Sequence, residues 1–259
     1  MDRYRVIKLI GDGTFGSVVQ AEHVDDNRLV AIKRMKRTFD SWEECLSLRE
    51  VKALKYLAHP NLVRLHEVVR EHRVLHFVFE HLEMNLYQAV RHRHVQTVGE
   101  VRSILRQLLD GLIYMHGRGF AHRDIKPENI LMSKRSGGGA GWLVKLADFG
   151  LAREIPDPDA PRGKDKLTEY VSTRWYRAPE VLLRCKDYDR QVDLWGLGTV
   201  VAEICTTRPL FPGRSEHDQL HRICLVLGCP NSPDAPGGYW AKGSSKAKSL
   251  GLIFQPVGS

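Results

Sequence analysis

With 259 residues, 42% hydrophobic and 27% charged, the chain has room for one large domain or two small lobes around an ordinary globular core. No apolar run approaches the roughly 18 residues of a membrane-spanning helix, and Met1-Asp2-Arg3-Tyr4-Arg5 has no signal-peptide character, so no membrane partner is expected. The formal charge of +8 is dispersed over Lys33, Arg34, Lys36 and Arg37, over Arg91 and Arg93, and over Lys242, Lys246 and Lys248. It lacks the aromatic interleaving of a nucleic-acid module, so attraction to phosphates is the simpler expectation.

In chain order, Tyr4 to Leu9 is strand-like and runs into Gly11-Asp12-Gly13-Thr14-Phe15-Gly16, after which Val18, Val19 and Ala21 continue extended. Leu29 to Lys33 is a further strand. From about Trp42 to Leu57 the period turns helical, with Leu46, Leu54 and Leu57 on a stripe, Val51 at its edge and Glu50 within it. Leu62 to Val69 and Val74 to Glu80 are strands again. Beyond Glu80, Val101, Ile104, Leu105, Leu108, Leu109, Leu112 and Ile113 mark an amphipathic helix closed by Gly117 and Gly119. Short strands at Ile130 to Met132 and Val144 to Ala147 flank a glycine-rich connection. The segment from Glu154 to Thr168 has loop composition. Helices are expected over Val192 to Cys205 and His217 to Leu227. From Gly228 onward periodicity is weak, and only Leu250, Leu252, Ile253 and Phe254 look able to pack. Cys45, Cys185, Cys205, Cys224 and Cys229 are odd in number and scattered, which argues for reduced, buried thiols and against a zinc site.

Two motifs carry chemistry. His122-Arg123-Asp124-Ile125-Lys126-Pro127-Glu128-Asn129 supplies a proton acceptor, a phosphate-directed cation and a neutral oxygen ligand. Asp148-Phe149-Gly150 follows 19 residues after Asn129 and supplies a charged metal ligand. Gly11, Gly13 and Gly16 after a strand can bring backbone N–H groups to phosphates. That spacing also occurs in dinucleotide folds, but here strand residues follow and Lys33 arrives on the next strand. Glu50, a carboxylate on an apolar face, wants an internal cation, and Lys33 is the candidate. By itself such a pair is equally an ordinary structural salt bridge.

Together Gly11 to Val18, Val30-Ala31-Ile32-Lys33, His122 to Asn129, Asp148-Phe149-Gly150 and Ala178-Pro179-Glu180 resemble the signature set of eukaryotic protein kinases over about residues 4 to 230. Arg49-Glu50, Val171 to Glu180 and Leu210-Phe211-Pro212-Gly213 resemble the CMGC group. Phe39 to Cys45 and Thr168-Glu169-Tyr170 resemble its MAK/ICK/MOK family, also called RCK kinases. The resemblance implies ATP and Mg²⁺ as cofactors. Ile10, Gly11, Gly13, Gly16, Val18, Ala31, Lys33, Phe79, Glu80, Leu82 and Leu131 would line the nucleotide site, with Phe79 guarding the back of the adenine pocket and the Glu80 to Leu82 backbone meeting the adenine edge. Lys33 would hold the phosphates and pair with Glu50. Asp124 would accept the substrate hydroxyl proton, Lys126 would neutralise the γ-phosphoryl, and Thr173 would hydrogen-bond near both. Asn129 and Asp148 would bind the metal.

Arg49, Arg123 and Arg153 would repel one another if brought together without an anion, and phosphate on Thr168 would supply one. Tyr170 is the second expected site. The expected fold is α+β and bilobal: a small antiparallel β-sheet lobe with one helix at about 4–80, a larger mainly helical lobe at about 83–230, and an atypical tail at 231–259. The family's terminal helices are expected to be missing, leaving Glu180 without an arginine partner and the large lobe short of cover. The expected function is a serine/threonine protein kinase acting on Ser-Pro or Thr-Pro sites in protein substrates, switched by an upstream kinase at Thr168, in cytoplasm and nucleus and, by resemblance, the cilium. The alternative is a catalytically impaired kinase serving as a scaffold.

Overall fold

Runs rich in valine, isoleucine and other apolar residues in the first 80 positions give five strands: β1 (Tyr4–Asp12), β2 (Gly16–His23), β3 (Leu29–Thr38), β4 (Leu65–Glu71) and β5 (Val74–Glu80). The computed structural model describes residues 1–13, 16–135, 141–155, 173–185, 189–231, 238–252 and 254, and of Arg49 the backbone alone. The strands form one antiparallel sheet in the order β1-β2-β3-β5-β4. Side chains two apart on a strand share a face. Val30 and Ile32 therefore point together into a buried cluster with Ala21 and Val78, while Ala31 and Lys33 lie on the opposite face of β3.

Between β3 and β4, two short helices, α1 (Trp42–Leu46) and α2 (Arg49–Tyr56), replace the single helix expected over Trp42 to Leu57. Ser41 caps α1 by accepting from Glu44 N–H. The helix stops because Leu48 adopts an extended backbone, φ −61° and ψ 135°, before α2 restarts. This break takes Leu46 off the expected stripe and leaves it exposed, while Val51, Ala53, Leu54 and Leu57 are buried.

After β5 come β6 (Met84–Asn85), α3 (Leu86–Arg91), α4 (Val98–Gly117), β7 (Phe120–Ala121), β8 (Ile130–Lys134), β9 (Trp142–Leu146) and β10 (Arg153–Glu154). Capping boxes start both helices: Asn85 with Gln88 for α3, Thr97 with Glu100 for α4. Ile104, Leu108 and Leu112 bury one face of α4; Ile113, placed on that stripe from sequence, is exposed. Strands β6, β8 and β9 make a second antiparallel sheet. Buried amides join α4 to it: Asn61 Nδ2 donates to Gln107 Oε1 at 3.2 Å and to Val144 O at 2.8 Å, and Val144 N–H donates to Gln107 Oε1.

The remaining helices are α5 (Pro179–Leu182), α6 (Gln191–Thr206), α7 (Glu216–Leu227) and α8 (Ala241–Ser249). Helix α8 corrects the expectation of a tail without a helix. Gly243 and Ala247 face inward at a four-residue step, and Ala247, Phe254, Leu252 and Trp240 pack with Leu182, Leu183, Phe211, Leu220 and Ile223. Alanine and glycine carry almost no hydropathy signal, so this face is invisible to a periodicity reading. Ile253 lies outside the described residues. Glu180 makes no ion pair among the described residues, and burial pushes its carboxyl up, with Asp189 adding to the effect. Four of the five cysteines are buried as expected; Cys205 is exposed.

Contacts group the chain into two compact units that differ from the expected lobes. One is Met1–His122 with Pro127–Arg153, and the other is Arg123–Lys126 with Glu154–Ser259. The β8-β9 hairpin belongs with the first because Leu146 N–H donates to Asn61 O and Val63 N–H to Leu146 O, each at 2.8 Å. No helix among the described residues is long and apolar enough to cross a membrane.

Candidate active site

In the first unit, Lys33 projects from β3 and its ammonium meets two carboxylates. Nζ lies 2.7 and 3.0 Å from the two oxygens of Glu50 on α2, and 3.0 Å from Asp148 Oδ1. Lys33 and Glu50 are almost completely enclosed, whereas 39% of the Asp148 side chain is exposed. Burial penalises the lysine charge, but Glu50 and then Asp148 outweigh it and its pKa is raised. The Glu50 carboxyl is pushed up by burial, against the pull of Lys33. One ammonium thus serves two anions, and the more exposed of them is the one able to face a further cation.

Asp148 is in the left-handed region, φ 61°, and its Oδ1 accepts from Gly150 N–H at 3.4 Å, capping the turn Phe149–Leu151. Behind it His122, fully buried, is 2.9 Å from Ala147 O and packs its ring on Phe149. Asn129 is buried at the end of the turn Pro127–Asn129, and its carbonyl accepts from Ala147 N–H at 2.9 Å. A carboxylate and an amide oxygen are the hard donors that Mg²⁺ takes, so the pair Asp148 and Asn129 suits that ion. Among the described residues no group of three His, Cys, Asp or Glu side chains offers another metal site.

The glycine segment is a strand pair with its tip outside the described residues. Gly11 lies opposite Val18, and Gly13 N–H donates to Gly16 O at 2.9 Å. Gly16 is required by packing, since a Cβ there would stand 2.4 Å from Arg34 O on β3. Val18 pairs across with Lys33, and Ala31 with Phe79. Ile10 is exposed at 45%, Leu82 is buried, and Leu131 sits on β8 opposite Lys145. Apart from Gly13 and Leu82, which lie just past strand ends, the nucleotide residues expected from sequence lie on strands of this one unit, β1, β2, β3 and β5 of the first sheet and β8 of the second.

The second unit holds the candidate base. Lys126 Nζ is 2.7 Å from Asp124 Oδ2, and both side chains are largely buried. The preceding residue, Arg123, takes a left-handed backbone, φ 69°, and its N–H donates to Asp193 Oδ1 at 2.6 Å. Asp193 has no exposed surface and was missed in the sequence; the signal was a carboxylate inside an apolar helix, the same signal that marked Glu50. Gly196 of α6 lets that helix approach, because a Cβ there would lie 2.9 Å from Ile125 Cβ. Thr173 is exposed, and no hydrogen bond joins its side chain to Asp124 or Lys126 among the described residues.

Thr168, Tyr170 and the side chain of Arg49 lie outside the described residues. Arg123 and Arg153 belong to different units. Arg174 and Trp175, just after the undescribed segment, are fixed by donation to Arg214 O and Gly213 O.

Residues 4–250 match the family model described as protein kinase domain. The serine/threonine-protein kinase ICK of Mus musculus is 51% identical over 240 residues, covering 92% of this chain and 36% of that protein. The serine/threonine-protein kinase MAK of Homo sapiens is 49% identical over 92% of this chain and 37% of its own length. Cyclin-dependent kinase F-3 of Oryza sativa subsp. japonica is 50% identical over 98% of this chain and 55% of its own. The chain thus spans roughly a third to a half of the length of these relatives. With the Lys33, Glu50 and Asp148 cluster and the Asp124–Lys126 pair in place, it belongs to the protein kinase family and is similar to its MAK and ICK members.

Proposed function

We propose that this chain is an ATP-dependent serine/threonine protein kinase directed to Ser-Pro and Thr-Pro sites. The observation that carries the reading is the Lys33 ammonium held at 2.7 Å from Glu50 and 3.0 Å from Asp148. Such a fixed cation can position phosphates, and phosphoryl transfer depends mainly on positioning and charge neutralisation. Lys33 would bind the α- and β-phosphates. Asn129 and Asp148 would hold Mg²⁺, whose charge offsets that of the phosphates when bound. Asp124 would orient the substrate hydroxyl and accept its proton, with Lys126 countering charge on the transferred group. The relatives named as serine/threonine-protein kinases and the Trp175 to Glu180 resemblance support the acceptor and its proline.

The test uses purified protein, Mg²⁺, ATP labelled at the γ-phosphate, and paired peptides differing only in proline or alanine after the serine. The expected result is transfer to the Ser-Pro peptide, with the Ser-Ala peptide at least roughly tenfold slower, as loss of one well-used contact would give. Equal rates would remove the proline preference. Absence of transfer even after incubation with an activating kinase would remove the catalytic reading in favour of a scaffold.

Control by Thr168 is the second part of the proposal. A phosphate carries nearly two negative charges, and the resemblance of Thr168-Glu169-Tyr170 to doubly phosphorylated kinase loops supports Thr168 as the site that receives it. Thr168→Ala is expected to lose about tenfold or more of the activity of the phosphorylated parent, the worth of one or two charge-assisted hydrogen bonds. Rates measured alongside phosphosite occupancy by mass spectrometry check this; full activity in the alanine variant excludes the switch.

A further inference from the structure

Lys145 is a charged residue in an apolar strand. It lies between Val144 and Leu146, both fully buried, and is itself only 8% exposed. Burying an ammonium is unfavourable unless it is paired, and an apolar residue of similar volume would pack there at less cost. Its partner is Glu80, with Nζ at 2.6 Å from Oε1. The same carboxylate oxygen accepts from Arg64 N–H at 2.7 Å, and Glu80 N–H donates to Arg64 O at 3.0 Å. Glu80 is therefore fixed through both its backbone and its side chain. Lys145 in turn stands on β9 opposite Leu131, three residues before Asp148. The next residue, Leu146, is tied into the loop before β4 through Asn61 O and Val63 N–H.

We propose that Lys145 is a positioning residue that sets base selectivity, holding the Glu80 to Leu82 backbone in the register that accepts adenine and rejects guanine. This rests on the reading of that backbone as the adenine-binding edge. Adenine presents a 6-amino donor beside an N1 acceptor, whereas guanine presents a 6-oxo acceptor beside an N1–H donor. A backbone edge of fixed C=O and N–H groups complements one pattern and opposes the other. Discrimination of this kind requires that the edge cannot slide or rotate to recover hydrogen bonds with the wrong base. The Lys145 ammonium supplies the rigidity, because it clamps the first residue of the edge to the strand that leads into the metal-binding turn.

The experiment compares ATP and GTP as phosphate donors for the parent, Lys145→Met and Lys145→Arg, with thermal transitions recorded for each. Lys145→Met is expected to raise KM for ATP about tenfold, the worth of one charge-assisted hydrogen bond, while KM for GTP stays flat or falls. The ATP:GTP ratio of kcat/KM then drops about tenfold, with kcat at saturating ATP within about twofold of the parent. Lys145→Arg, which keeps the ion pair, is expected to retain most of the selectivity. A merely structural lysine would lower the thermal midpoint and leave the ratio unchanged, and that outcome overturns the inference. Should Lys145→Met fail to fold, Lys145→Gln, which keeps a neutral donor, is expected to lower the ratio by a smaller factor, and an unchanged ratio there overturns the inference as well. A parent that neither binds Mg²⁺–ATP nor transfers phosphate would overturn the kinase reading itself, whereas an active parent with unchanged ratios in the variants overturns only the role of Lys145.

Discussion

Asp124→Asn is expected to lower phosphoryl transfer by roughly 10²- to 10⁴-fold, the range over which a positioned general base contributes. Asparagine has nearly the same shape, so the variant can keep a hydrogen bond to Lys126 Nζ, now 2.7 Å from Oδ2. What it loses is the ability to take a proton. The backbone that presents residue 124 is secured separately, by the Arg123 N–H bond to Asp193 and by the close approach of Gly196 to Ile125. The fold should therefore survive. Nucleotide binding should survive as well, because Lys33, Glu50 and Asp148 are fixed to one another without Asp124. Single-turnover rates with labelled ATP, paired with calorimetric binding of Mg²⁺–ATP, separate the two effects. Parent-like transfer by Asp124→Asn, with binding intact, would remove Asp124 from the role of base. A loss of binding equal to the loss of rate would point to collapse of the site instead.

Much of this site was legible because its charges sit where the hydrophobic pattern says they should not. Glu50 on an apolar helical face called for an internal cation, and Lys33 proved to be that cation. The same logic, applied further, would have found Asp193 inside the apolar run of α6 and Lys145 between Val144 and Leu146, both of them buried. Motif spacing alone finds neither, since each acts through a neighbour's backbone or side chain. The strands of the first sheet were legible from their apolar, β-branched runs, and β5 has the expected limits, Val74–Glu80. Three features were not. The break between α1 and α2 is a single extended residue, Leu48, with no proline or glycine to announce it. Short α3 was missed although Asn85 and Gln88 form a capping box. Helix α8 was missed because its buried face is built from Gly243 and Ala247, and hydropathy patterns need larger side chains to register.

That same helix makes the tail a stabilising element, and Phe254→Ala is expected to show it. Phe254 is 7% exposed and packs in a cluster with Leu182, Leu183, Phe211, Leu220, Ile223 and Ala247, flanked by Trp240 and Leu252. Several bonds bring it there. Trp240 N–H and Ser244 Oγ donate to Pro230 O at 2.9 and 3.0 Å, Leu252 N–H donates to Ala247 O at 2.9 Å, and Asn231 Nδ2 donates to Phe254 O at 3.3 Å. Truncating a buried phenylalanine costs about 3–5 kcal/mol, and a position near the end of the described chain argues for the lower figure because such segments can relax. At about 2–4 °C per kcal/mol for a chain of this size, the thermal midpoint should fall by roughly 6–12 °C. Tyr239→Ala is the matched control: 57% exposed just outside the same helix, it should shift the midpoint by no more than about 2 °C. The sequence alone suggested that Leu252, Ile253 and Phe254 were too few to cover the face of the larger lobe. A Phe254→Ala midpoint indistinguishable from the parent would support that view and mean that the tail does not hold this packing in solution. A drop confined to Phe254→Ala would show that α8, Leu252 and Phe254 cover part of the core around α5 and α7.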